Sequence, residues 1–156
     1  LTLHHSMPPV PKAEQITSGQ RTALLRSQID IFLQSLPDHI PLMTTDPADP
    51  IYFHATPQSN LESILRDGHL KAFPGKTGQE QTRDSVWFAH TFCDAVLHVI
   101  THHRQELARC AYKITVFIVQ KSIQHERGRQ FTNTQQSYHN VEVDDEQLVD
   151  VDVSDL

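Results

Sequence analysis

The stretch IYFHATPQSNLESILRDGHL, residues 51–70, decides how this chain folds. It opens on a short apolar run, IYFHA (51–55), of strand-favouring composition. A helical pattern follows at once over 59–67, with Leu61, Ile64 and Leu65 on one face. Ser59 and Glu62 have the S-x-x-E spacing of a capping box, and Gly68 supplies a left-handed stop. The chain is therefore expected to turn within a few residues of His54 and run back. That puts His54 at a strand end beside a helix N-terminus, whose unpaired amides and partial positive field suit a polar or anionic ligand. A simpler reading stands beside it: a strand-end imidazole hydrogen-bonded to backbone.

Further strand-like runs are LKAF (70–73), SVWFA (85–89), YKITVFIVQ (112–120), NVEV (140–143) and LVDVDV (148–153). A second helical pattern interrupts them at about 92–109, and no internal repeat is evident. Strands outnumber helices, and too few helices remain to serve as crossovers. The expected fold class is α+β with a mixed, mostly antiparallel sheet arrangement.

Upstream, Leu24, Leu25, Ile29, Phe32, Leu33 and Leu36 recur at helical spacing, and Pro37 closes the segment. Residues 18–36 read as an amphipathic helix packed on the main body. PDHIPLMTTDPADP is a proline-rich connector. Residues 1–16, with prolines and an HHSM that looks like a tag remnant, are expected to be an unstructured or tag-derived lead-in. The expected division is thus 1–16 lead-in, 17–49 helix and connector, and 50–156 main domain.

The chain has 156 residues, enough for one domain with a core of its own. Its 13 basic and 19 acidic residues give a formal charge of −6, which argues against strong non-specific binding to nucleic-acid backbones. The acidic C-terminal stretch VEVDDEQLVDVDVSDL carries alternating valines and reads as a solvated strand face. No apolar run approaches the roughly 18 residues of a membrane span, and no signal peptide is visible at the start. Cys93 and Cys110 on one helix would lie roughly 25 Å apart, beyond disulfide reach, so both read as reduced packing residues. An intracellular protein, or one delivered into a host cytoplasm, is expected.

Chemistry-bearing patterns are few. His98 and His102 have the i, i+4 spacing of two ligands on one metal, but Val99 stands where a metalloprotease has its glutamate, and no third ligand is identified. The apolar stripe Phe92, Val96, Val99, His103 and Leu107 turns His98 and His102 toward water. There is no nucleophile elbow. PGKTGQ (74–79) lacks the glycine a phosphate-binding loop needs, since Leu70 stands there.

YFHATPQSNLESILRDGHL and SVWFAHTFCDA together resemble the ADP-ribosyltransferase-like superfamily, in its branch shared by poly(ADP-ribose) polymerases and diphtheria-type toxins. There a strand ends in His-Gly-Thr, a helix N-x-x-x-I-L-x-x-G-L follows, and a strand G-x-Y-F-A leads into a helix. The resemblance spans residues 50 to about 153. It implies a domain that binds NAD between two small sheets. His54 would bond a ribose hydroxyl, the Ala55 backbone would hold the nicotinamide carboxamide, and Thr56 matches the motif's hydroxyl. Trp87 aligns with the stacking tyrosine and Phe88 with the phenylalanine after it.

The family's catalytic carboxylate comes from a late strand, and here the pattern departs. Counting back from Asp144 and Gln147 puts His139 at that place, with Glu142 the nearest strand carboxylate. The usual glycine is replaced by Ala55, and the serine expected after the aromatic strand is not evident. Lys76 and Arg83, in the loop 74–84, are candidates for the pyrophosphate, and a solvated loop is the plainer reading. The resemblance implies an NAD-dependent mono-ADP-ribosyltransferase acting on a protein or nucleic-acid acceptor, with NAD as substrate and no metal. Three alternatives stay open: a non-catalytic module binding NAD, ADP-ribose or a protein; an RNA 2′-phosphate-removing transferase; and a metal-dependent hydrolase using His98 and His102.

Overall fold

The computed structural model describes residues 3–9, 17–71, 86–120, 135–138, 140–142 and 147–154. Within them the chain is α+β, as its patterning leads one to expect. β2 (Ile51–Pro57), β4 (Val86–Ala89), β5 (Lys113–Gln120), β6 (Gln135–Tyr138) and β8 (Gln147–Asp152) join β1 (Leu3–Ser6) in a six-stranded open sheet of order β1-β8-β5-β2-β4-β6. All neighbours are antiparallel except β1 and β8. β3 (His69–Lys71) and β7 (Asn140–Glu142) form a separate antiparallel ribbon. Among the described residues no helix is long and apolar enough to cross a membrane.

Strand alternation divides the core into two layers. On one face Ile51, Phe53, Ile114, Val116, Ile118, Val149 and Val151 pack against helices. These are α1 (Ser18–Ser35), through Leu25, Ile29 and Phe32, and α3 (Phe92–His102), through Phe92, Ala95, Val96 and Val99. α4 (Arg104–Arg109) adds Leu107 to that layer. On the other face Phe88, Phe117, Val119 and Leu148 pack with Leu70 of β3 and Ile64 of α2 (Leu61–Asp67). The ribbon β3–β7 therefore roofs the second face of the main sheet. Each large apolar side chain so buried contributes about 1.5–3 kcal/mol.

Several boundaries differ from expectation. The lead-in is not structureless throughout: Leu3–Ser6 pairs in parallel with Gln147–Asp150, and Met7, 5% exposed, enters the core. The pairing is long-range, so nothing local announces it. α1 matches its expected span and carries a capping box of its own, Thr17 with Gln20. The box expected at Ser59–Glu62 does not form. A 3-10 turn, Gln58–Asn60, runs directly into α2, so Ser59 lies inside a turn and the cap position falls to Asn60 without a side-chain cap. Gly68 does close α2, at φ 72°. The pattern at 92–109 is two helices, broken at His103 (φ −130°, ψ 38°). Cys93 and Cys110 are both free thiols.

Candidate functional site

β2 does not stop at His54. It continues through Ala55, Thr56 and Pro57, paired with Val116, Thr115 and Ile114 of β5, so His54 sits in mid-strand. Pro57 is tolerated because it is the strand's last residue. The N-terminal ligand site expected beside a strand end is thereby displaced, since a turn and a short uncapped helix intervene.

What singles out His54 is the other edge of β2. With β5 the ladder runs the whole length of the strand, whereas with β4 it is recorded at one pair, Phe53↔Ala89. Just past that pair, His54 Nδ1 lies 2.9 Å from the Trp87 carbonyl. A carbonyl only accepts, so Nδ1 carries the proton and donates. The imidazole thus supplies the Trp87 carbonyl with a bond that a backbone N–H would supply in an unbroken ladder. The simpler reading of His54, an imidazole bonded to backbone, describes this contact, and the seam between β2 and β4 is where it occurs.

The His54 ring lies against Phe88 and Phe117, with centroids 5.6 and 6.4 Å away. Burial pushes its basicity below the ordinary histidine value; the bond to Trp87 opposes that shift, and the nearby His103 adds to it. His54 is therefore neutral near pH 7, with Nδ1 protonated and the lone pair on Nε2. Among the described residues none hydrogen-bonds Nε2.

The rings of His54 and Trp87 do not converge. Ala89 belongs to the helix-side layer and Val86 and Phe88 to the other, so alternation turns the Trp87 indole toward the helix side. His54, opposite Phe117, faces the roofed side. The two residues meet through the Trp87 carbonyl, and the ring beside His54 is that of Phe88. Ala55 packs on the helix-side layer. Thr56, 5% exposed, accepts a bond from Asn60 Nδ2 at 3.0 Å and so ties β2 to the following turn.

Glu142 pairs with His69 in the ribbon, one position from the Leu70↔Val141 pair. Leu70 packs with Phe88 and Phe117, so the strand bearing Glu142 lies over the face that bears His54. His139, Lys76 and Arg83 lie outside the described residues.

Two clusters stand out, of which the first escaped the sequence. Thr115, fully buried, donates to Asp150 Oδ1 at 2.8 Å, and Gln58 Nε2 approaches Oδ2 at 3.4 Å. This network anchors the 3-10 turn to β5 and β8, and no local spacing reveals it. The second is a group of imidazoles. His98 lies 4.7 Å from His102 and 5.8 Å from His103 by ring centroids. His98 is not on the wet side as expected. Burial first, then His102, His103 and His54, lowers its pKa to about 4. His102 is exposed. Among the described residues no three His, Cys, Asp or Glu side chains are grouped to hold a metal. The Cys93 thiol is pushed up by burial and by Asp30 and Asp94, against a smaller pull from Arg26, so it is a poor nucleophile.

No family model matches the chain, and neither a curated protein nor a solved structure does.

Proposed function

We propose that the chain is an NAD-dependent mono-ADP-ribosyltransferase on an ADP-ribosyltransferase-like fold, modifying a protein or nucleic-acid acceptor in the cytoplasm of its own cell or of a host. The observation that carries this reading is His54: a neutral imidazole, held by the Trp87 carbonyl at the seam of β2 and β4, whose Nε2 no described residue hydrogen-bonds. A ribose hydroxyl is a donor of that kind. On this reading the bond between nicotinamide and ribose C1′ breaks, and the neutral ring leaves with the electron pair. C1′ becomes oxocarbenium-like, and the acceptor attacks it and gives up a proton. The residues of this chain would orient the ribose, and a carboxylate would stabilise the developing cation. Glu142 and His139 compete for that place.

A second reading, a module that binds NAD or ADP-ribose without turnover, draws on Glu142. That residue is paired in the ribbon with His69 rather than on a strand neighbouring β2.

Incubation with NAD labelled in the adenylate part, following nicotinamide release and label transfer, tests both. Release or transfer supports the enzyme, with Glu142→Gln and His139→Ala assigning the catalytic place. Thermal stabilisation by NAD without release supports the binding module. Neither stabilisation nor release would end both readings.

A further inference from the structure

We infer that His90 is the proton acceptor of the proposed transfer: it takes the proton of an incoming hydroxyl as that oxygen bonds to ribose C1′. This rests on the transferase reading. The arrangement expected of His54, an imidazole at a strand end beside a helix N-terminus, is found at His90. β4 ends at Ala89, and Thr91 caps α3 by accepting a hydrogen bond from the Asp94 amide at 3.1 Å. His90 is thus a single residue held between a strand and a capped helix, and it is exposed.

Alternation places His90 on the face that bears His54. Ala89 belongs to the helix-side layer, so Phe88 and His90 on either side of it turn the other way. The ring contacts agree. By centroids Phe88 lies 5.6 Å from His54, and His90 lies 5.9 Å from Tyr52, edge-on. Tyr52 and His54 are two positions apart on β2 and share one face. His54 and His90 are therefore diagonal neighbours, with Cα atoms roughly 7–8 Å apart. Across the other diagonal the rings of Tyr52 and Phe88 meet at 5.9 Å.

Two imidazoles at opposite corners of one patch suit two different tasks. His54 commits its proton to the Trp87 carbonyl, and burial disfavours a second proton on its ring, so it orients a hydroxyl without taking charge. Water reaches His90, and water solvates an imidazolium. In the transfer the bond from nicotinamide N1 to C1′ breaks, and its electron pair leaves with the neutral ring. The hydroxyl oxygen forms the new bond to C1′. Its proton passes to the His90 lone pair and then to solvent. The acceptor group is accordingly an O–H, of which water is the simplest.

Nicotinamide release from NAD in water alone tests this on the whole chain. A positioned base supplies about 100- to 10,000-fold in rate, and the low end applies because C1′ is already electron-poor when the hydroxyl arrives. His90→Phe, which keeps a ring beside Tyr52, and His90→Ala should each release nicotinamide about 100-fold more slowly, with KM for NAD and thermal stabilisation by NAD unchanged. Free imidazole should restore the Ala variant and leave the Phe variant slow. Undiminished release in both variants, loss of NAD stabilisation in both, or an Ala variant that imidazole does not restore overturns the role of His90 and leaves the transferase reading standing. A wild-type chain that releases no nicotinamide ends that reading and this role with it.

Discussion

On the proposed reading His54 has two separable tasks, a bond to the Trp87 carbonyl and an acceptor for a ribose hydroxyl, and two isosteric replacements divide them. In His54→Asn the amide nitrogen takes the place of Nδ1 and still donates to the Trp87 carbonyl, while nothing replaces Nε2. In His54→Gln the longer side chain carries an acceptor to the place of Nε2 and leaves the carbonyl without its donor. Both variants lose the ring packed on Phe88 and Phe117, so that cost cancels in the comparison. What remains is one hydrogen bond of 2.9 Å at the seam, and losing such a bond costs about 0.5–1.5 kcal/mol. With a urea slope of about 2 kcal/mol/M, the Gln variant should unfold roughly 0.25–0.75 M earlier than the Asn variant. The ligand readout should run the other way. Wild-type protein at 100-fold excess of NAD over its dissociation constant should gain about 2.7 kcal/mol, and the Asn variant should lose most of that gain. Equal midpoints for the two variants would refute the structural half of this argument. Undiminished NAD stabilisation of the Asn variant would refute the other half.

Other perturbations test the frame around the site. Met7→Ala should cost about 2 kcal/mol in a denaturation titration, at the low end for a core methionine because a terminal strand relaxes around the gap; no change would mean that β1 is not part of the fold. Thr115→Val removes the hydroxyl that holds Asp150 at 2.8 Å and should cost about 1.5–3 kcal/mol by the same measurement. Gly68→Ala meets no atom within 4 Å, so its cost, about 1 kcal/mol in thermal melts, should come from the positive φ alone.

What the sequence disclosed and what it concealed follow a physical division. Period-2 and period-3.6 patterning report which face an element buries, and that is enough for α1, β2, β5, β8 and the α+β class. Gly68 was legible because only a left-handed stop explains it there. Patterning says little about pairing. β1 carries two histidines and is recruited by β8 from the far end of the chain, and polar β6 lies at a sheet edge, where burial imposes no pattern. Ser59 and Glu62 had the right spacing for a cap, yet the preceding turn took over the start of the helix. At the site, the motif carrying His54 and the aromatic pair was visible, but not which aromatic would face the imidazole. That depends on register, and a shift of one residue exchanges Trp87 for Phe88.

A ligand held at this seam would meet a neutral acceptor rather than a charge. His54 is neutral because burial against Phe88 and Phe117 outweighs its bond to the Trp87 carbonyl, which favours the charged form. A neutral imidazole offers an acceptor without a field, so it orients a hydroxyl and attracts no anion over distance. The chain's net charge of −6 supplies no such attraction either. A dinucleotide bound here would therefore be held chiefly by its sugar and ring. Its affinity should change little between low and physiological salt, whereas a site built on phosphate contacts would weaken steeply over the same range.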